Sequence, residues 1–445
     1  MNRAQVERSV AAGTMPAVAW AMIACSLLAG GSACGEDWPQ FRGPGGRGVG
    51  ASAVPLEWSD TKNVRWKTPL PGPGSSSPVV WGDDVFVTCY SGYGASGAPG
   101  GDPAQLARHL VCVNRADGTI RWQRSIAATM PEDTYEGFLT EHGYASSTPV
   151  TDGETVVAFF GKSGVIAFDR DGAEEWRVDV GKESSTRRWG SAASLILVGD
   201  TVVVNAAEES QSIRALDLRT GREAWGAEGA ALELAYGTPG VVTLADGSEE
   251  IVVAMPEEVW GLDPATGKLL WHATHGLTGN VSPSVVVDGD VVYVFGGFRS
   301  AGSFAIRAGG KGDVTKSHMV WTSRTSSYVA TPLVHEGHLS WIDDRGQAFC
   351  ASTRDGTQVY RSRVEGMASG GRPVYASPVR AGGRIYVVSR WSGTFVLPAE
   401  PRFEILACNR FESDESDFIG TPAIADGCLF LRSGKFLYCV ADTAP

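Results

Sequence analysis

The chain of 445 residues has no basic stripe and no interleaving of basic with aromatic residues. With 38 Lys and Arg against 50 Asp and Glu, its formal charge is −12. Binding a polyanion relies on clustered cations that release counterions, so nucleic acid is excluded as a partner. Cysteine is sparse: beyond residue 34 there are Cys89, Cys112, Cys350, Cys408, Cys428 and Cys439. None shows the paired short spacing of a zinc site, and no metal is assigned. No Gly-x-Ser-x-Gly elbow leads a strand into a helix, which removes the serine-hydrolase reading. Gly161-Lys162-Ser163 lacks the upstream Gly and the following helix of a phosphate loop, and Gly309-Gly310-Lys311-Gly312-Asp313 reads likewise as a turn without a helix. His142 stands beside Glu141 in a Gly-bearing loop, a pairing more often structural than catalytic. No catalytic residue is assigned.

What the chain does contain is a repeat. A small residue and Pro open an apolar strand, a Gly- or Asp-rich turn and a second strand follow, and most copies end in a turn and a Trp. Anchored on Pro78, Pro149, Ala193, Pro239, Pro283, Pro332, Pro378 and Pro422, the copies are spaced by 71, 44, 46, 44, 49, 46 and 44 residues. A period in the forties with about four short strands is one propeller blade. The fold class is therefore all-β, an eight-bladed β-propeller over residues 64–445. The 43% hydrophobic and 20% charged composition, with 56 Gly and 23 Pro, suits a folded soluble protein rich in tight turns.

The two chain ends belong together. Pro422 to Val440 supplies three strands and no Trp strand, whereas Val64-Arg65-Trp66-Lys67-Thr68 is an outer strand with no blade before it. Pairing the N-terminal strand with the last blade closes the ring and removes exposed sheet edges. Residues 35–63, with Trp38-Pro39-Gln40-Phe41-Arg42-Gly43-Pro44, form an irregular leader. Upstream, Arg3 and Arg8, the apolar run Ala17 to Gly31 and the small residues to Cys34 have the order of a secretory signal peptide over 1–34. A membrane anchor is the alternative, against which Pro16, Ser26 and the Gly pair count; the mature chain then holds no transmembrane span. Cys34 is also placed to carry a lipid, although Gly31 stands where such signals usually have Leu. The expected location is periplasmic or extracellular, and the propeller is expected to be monomeric. Export permits disulfides, and a turn at Ser433-Gly434 would set Cys428 opposite Cys439; free buried thiols are the alternative.

Asp217-Leu218-Arg219-Thr220-Gly221 leads to Trp225, and Asp263-Pro264-Ala265-Thr266-Gly267 leads to Trp271. Trp66, Trp122, Trp176 and Trp321 occupy related positions, and all six are read as docking surfaces between blades. This motif resembles the PQQ-type propeller repeat of quinoprotein dehydrogenases and of BamB-like assembly lipoproteins, from Trp66 to Val440. Blades five to seven depart from it, with a longer turn before Trp321, Tyr360 in place of Trp, and Ile405 ending a copy without a Gly turn. The resemblance implies the propeller fold, a WD40-like closed ring, and either of two activities. Catalytic quinoproteins bind PQQ with Ca²⁺ and often carry adjacent cysteines, which this chain lacks; BamB-like propellers assemble with proteins in the envelope.

In a propeller the inter-blade segments and the turns between second and third strands share one face. Pooling them places His142, Tyr144, Arg188, Trp189, Tyr236, Tyr328 and Tyr375 with Glu208, Glu258, Arg299, Asp344, Arg345 and Arg390 at one channel mouth. Six inter-blade aromatics, Tyr144, Trp189, Tyr236, Tyr328, Tyr375 and Phe418, would either ring a pocket or pack into the neighbouring blade. In each of the pairs Glu208-Glu209, Glu257-Glu258 and Asp343-Asp344, extended backbone would turn only one carboxylate to the channel. Insertions at residues 91–108 and 128–142 lengthen loops on the same face, where binding function usually resides. The expectation is an exported, non-catalytic scaffold that binds a protein or polymeric ligand at this mouth. The alternatives are a PQQ-dependent oxidoreductase of alcohols or sugars, and a glycan-binding module.

Overall fold

The structure is a computed structural model that describes residues 35–97 and 100–442. The expected signal peptide and Cys34 lie outside the described residues. Eight sheets, each with four antiparallel strands and one with a fifth, parallel edge strand, succeed one another along the chain, numbered here as blades 1 to 8. Their innermost strands are Val79–Trp81, Val150–Thr151, Ile196–Val198, Gly240–Thr243, Val286–Asp288, Leu333–His335, Val379–Ala381 and Ala423–Ala425. The second and third strands are rich in β-branched residues and buried on both faces, because each sheet is covered by a neighbour on either side.

The inner strands are tied to one another by a belt of hydroxyls. The Ser77 N–H donates to Thr148 Oγ1 at 2.9 Å, and Thr148, Ser194, Thr238, Ser284, Thr331 and Ser377 each repeat the bond to the next blade at 2.9–3.1 Å, ending on Thr421. The belt corrects two anchors of the sequence repeat. Ala193 and Pro283 lie three residues before their inner strands, whereas Pro78 and Pro149 lie one residue before theirs. The structural equivalents of the Ser/Thr before Pro are Ser194 and Ser284. What recurs physically is the hydroxyl that accepts the neighbour's N–H, and Pro only accompanies it in most copies.

The outer strands carry the tryptophans. In blades 1 to 6 a bulge interrupts the pairing of third and fourth strands beside the Trp or Tyr360, re-aiming the side chain toward the next blade. Trp66, Trp122, Trp176, Trp225 and Trp321 donate through Nε1 to the carbonyls of Arg115, Arg170, Leu218, Pro264 and Thr353 at 2.8–3.0 Å. Each ring also lies against the turn glycine of that next blade: Gly118, Gly172, Gly221, Gly267 and Gly356, all at positive φ. The glycine thus serves the turn and the Trp at once. Trp271 departs from this pattern. Its Nε1 donates to Glu250 Oε2 at 2.7 Å, and Gly312–Asp313 adds to the edge of blade 4 as a short parallel strand. Only the last two residues of the segment expected to be a bare turn are therefore strand, and the one-turn helix Thr315–His318 follows it. Tyr360 packs on Phe403, and beside Trp-less blade 7 the leader's Trp58 stacks on Tyr386.

Closure is as expected: Val64–Pro69 pairs antiparallel with Phe436–Val440. The expected cysteine alignment is corrected. Ser433 N–H bonds to the Phe436 carbonyl, so the two loop residues are Gly434 and Lys435, and Cys439 falls opposite Phe430. Cys428 and Cys439 are both free thiols. Among the described residues, no helix is long and apolar enough to cross a membrane.

Two outcomes test this architecture. Removal of residues 1–70 should uncover the Phe436–Val440 edge, and size-exclusion chromatography should show aggregation or a melting curve shifted well below that of the full chain; an unchanged monomer refutes the closure. At Gly221, where φ is +68° and a Cβ would sit 2.7 Å from the Trp176 ring, substitution by Ala should cost about 2–4 kcal/mol in denaturant unfolding. At Gly247, with positive φ and open space around it, the same change should cost only about 1 kcal/mol.

Candidate functional site at the channel mouth

Four of the six inter-blade aromatics, Trp189, Tyr236, Tyr328 and Tyr375, line a chamber of about 150 Å³ in the channel. They stand two to five residues before the belt hydroxyls Ser194, Thr238, Thr331 and Ser377, whose anchoring directs them inward. Trp189 and Tyr236 stack at 5.5 Å with 27° between planes. Tyr144 and Phe418 do not reach the chamber. Tyr144 is buried beneath the two insertions against Tyr90, Tyr93 and Tyr135, with its hydroxyl donated to the Asp133 carbonyl at 2.7 Å. Phe418 packs on Phe411 and Tyr438 in blade 8.

Residues 128–142 cross the mouth. The short helix Leu139–His142 sets Phe138 over the chamber, 4.2 Å from the Trp189 ring and 6.3 Å from Tyr328. Arg372, which the sequence reading did not single out, lies on Phe138 and Tyr328 at 4.8 and 5.2 Å. On the far side, Arg390 of blade 7 pairs with Glu141 at 2.6 Å and with Asp417 at 2.7 Å, its guanidinium 5.0 Å from the Tyr375 ring. Burial lowers the Arg390 pKa, but the two carboxylates outweigh it and the group is held above its usual value. Arg390 thus ties the insertion to blade 7, past the intervening blade 8. His142 donates from Nε2 to the Trp189 carbonyl at 2.9 Å and has Ser146 Oγ 2.6 Å from Nδ1; burial lowers its pKa, which leaves the ring neutral.

The insertion rests on buried charges. Arg108 pairs with Glu132 at 2.5 Å and Lys162 with Asp133 at 3.0 Å, all four side chains nearly fully buried. Beside them stand Glu208 and Glu209, both inside, which corrects the expectation that only one of the pair would turn inward. They occupy a single helical turn, Ala207–Ser210, in which successive side chains do not alternate as they do in a strand. Glu208 accepts from Ser185 and Gly190, and Glu209 from Ser191. Burial raises both carboxyls, Glu209 to about 8.

The other expected residues lie outside the chamber. Glu258 accepts from its own blade's Trp260 Nε1 at 2.6 Å. Arg188 and Arg299 are exposed on the rim. Asp344 and Arg345 line a separate cleft between blades 5 and 7 with Arg324, Arg361 and Arg372. Burial raises the Asp344 carboxyl, and Arg372 Nε approaches it to 3.8 Å. At the opposite mouth the leader crosses the channel. Phe41 lines the chamber floor, and Arg42, fully buried, donates to the carbonyls of Gly46, Arg47, Thr331 and Pro332. Nothing in the repeat announces Phe41, because the leader does not share its period.

The family model described as outer membrane protein assembly factor BamB matches residues 106–362, from blade 1 to the end of blade 6. The chain belongs to the BamB family. Among solved structures it is similar to BamB from Moraxella catarrhalis, at 15% identity and a TM-score of 0.58 over 85% of this chain and 99% of that one. It is also similar to the computationally designed Ika8 protein, at 12% identity and a TM-score of 0.55 over 84% and 98% of the two chains. These likenesses show the fold. None of the curated proteins matches. The family match ends before blades 7 and 8, so Arg390 and the closing strand lie beyond it.

Protonation of Glu209 has a measurable consequence. The folded chain keeps this proton up to about pH 8, whereas an unfolded Glu loses it near 4.5. The stability it contributes is complete below pH 4.5 and is lost as the pH rises through 8. Gln mimics the protonated acid, so Glu209→Gln should melt like the parent at pH 4.5 and a few degrees higher at pH 8.5, read by circular dichroism. A difference independent of pH contradicts this assignment.

Proposed function

We propose that the protein is an exported, non-catalytic propeller that serves as a binding or assembly scaffold in the cell envelope and engages a protein partner at the mouth crossed by residues 128–142. The BamB family supports a scaffold, and the basic start and apolar run before Cys34 support export. One observation carries the choice of face. Met130, Phe298 and Trp391 are 47%, 56% and 43% exposed, and all three belong to loops of this mouth. Arg188 and Arg299 stand among them. Exposed aromatics bordered by arginines are the side chains that dominate protein interfaces.

The chamber chemistry argues against the quinoprotein alternative. PQQ is a tricarboxylate, and the chamber lining has no Arg or Lys and a single carboxylate, Glu141, already paired with Arg390. Among the described residues, no group of three or more His, Cys, Asp or Glu is arranged to hold a metal ion. The donor set therefore does not suit PQQ with Ca²⁺.

Photo-crosslinking from the mouth in envelope extract tests the reading. The parent chain should capture a defined protein, and the Phe298→Ala, Trp391→Ala double variant should lose at least about tenfold of that yield, as expected for two anchor residues. Equal capture by the variant removes this face from consideration. Stoichiometric uptake of PQQ with Ca²⁺ and dye-linked alcohol oxidation would overturn the scaffold reading.

A further inference from the structure

The chamber is bounded by two segments that are not blade. Phe41 of the leader forms its floor and Phe138 of the insertion its roof, so the space between them is set by this chain's additions to the ring. At about 150 Å³ it has the size that holds one benzene-sized molecule. The stacked pair Trp189 and Tyr236 gives one flat wall, with Tyr328 and Tyr375 opposite.

The polar groups around it already have roles. The belt hydroxyls accept from neighbouring N–H groups, both His142 nitrogens are engaged, and Glu141 is paired with Arg390. Tyr375 is different. Its hydroxyl is buried and has no hydrogen-bond partner of good geometry, and it is the one such side-chain atom among the described lining residues. Arg372 reaches this hydroxyl from the rim and acts on its oxygen by hydrogen bonding and charge, and because a guanidinium only donates, the O–H proton of Tyr375 still lacks an acceptor.

We propose that the chamber is a binding site for one uncharged, single-ring aromatic molecule whose acceptor oxygen takes the Tyr375 hydroxyl proton in a hydrogen bond. Flat aromatic walls favour a flat ring. Charge is disfavoured because the lining offers no unpaired ion to meet it, and desolvating an ion there is costly. A volume of about 150 Å³ favours a single ring over fused rings while Phe41 is in place. This site is independent of the partner surface outside, from which Phe138 separates it.

Isothermal titration and ligand-observed NMR on the mature chain test the proposal with phenol, toluene, benzoate and 2-naphthol. Phenol should bind one-to-one, toluene more weakly, and benzoate and 2-naphthol not at all. Tyr375→Phe should weaken phenol about 5- to 10-fold, the effect of one lost hydrogen bond, and leave toluene unchanged. Phe41→Ala should open the floor and admit 2-naphthol. Ala192→Phe should fill the chamber and abolish phenol binding at an unchanged melting temperature; if that variant misfolds, Val329→Phe replaces it. The proposal is overturned if phenol does not saturate the parent chain up to its solubility limit, as expected of a chamber that holds only water. It is equally overturned if Tyr375→Phe binds phenol as tightly as the parent, or if a folded filled variant still binds it.

Discussion

Within each blade the backbone hydrogen bonds are satisfied by the sheet itself, so neighbouring blades are held by side-chain packing and by a few fixed polar points. The belt from Ser77 to Thr421 supplies those points on the inside. Each bond joins the start of one inner strand to the same position in the next, and so sets both radius and register. On the outside, each Trp that meets a turn glycine does the same at the rim. A ring of eight has no free end where a spacing error could relax. The seam between blades 8 and 1 needs its own device, because Ser77 Oγ is buried there without a partner. Arg432 of blade 8 takes that place, donating to Ser76 Oγ at 3.0 Å and to the Thr88 carbonyl at 2.7 Å, while Val64–Pro69 completes the sheet.

The channel inherits its chemistry from the belt. Once the hydroxyl positions are fixed, the residues just upstream start beside the axis, which is why four aromatics converge although they come from four blades; Tyr144 and Phe418, within the same spacing, are drawn off by packing on Tyr90 and on Phe411. The leader then crosses the far end, held through Arg42. Burial pushes that guanidinium down to about 9, and it has no carboxylate partner, only backbone carbonyls. Such a cation is tolerated because its planar fork can reach several carbonyls at once. The same carbonyls hold Phe41 beneath the chamber.

The period, the blade count and the closing strand were legible in the sequence because they depend on local rules: apolar strands, Gly turns and a Trp at fixed spacing. The anchors at Ala193 and Pro283 misled because Pro marks the belt only by association. Site residues were legible where the belt dictates orientation, as for Tyr236 and Tyr375. They were not where packing between insertions decides it. Tyr144 has the sequence context of the chamber aromatics, yet residues 91–108 and 128–142 form an aromatic cluster that draws it away from the axis. Glu258 was misplaced for a simpler reason: a Trp two residues on in the same strand offers its Nε1. Phe41 lies in the leader, which has no counterpart in the repeat, so no pooling across blades could find it; Arg372 shares the inter-blade segment of Tyr375, but its position there recurs in no other copy as an Arg over the chamber aromatics.

The insertion over the mouth is built as a fixed cap. A mobile lid would rest on exposed contacts, but Glu132 and Asp133 are buried with Arg108 and Lys162, and removing one member of such a pair leaves a buried charge uncompensated. Glu141, at the other end of the insertion, is held from blade 7 by Arg390. Blades 1, 2 and 7 are therefore joined over the mouth by ion pairs through the insertion, which no neighbour-to-neighbour contact of the repeat provides. Opening the channel from this side would break several of them together, whereas docking a partner on the outer surface would break none. The geometry accordingly gives the mouth two parts: an outer surface that exposes Met130, Phe298 and Trp391, and an inner chamber lined by Phe138, Trp189 and Tyr236.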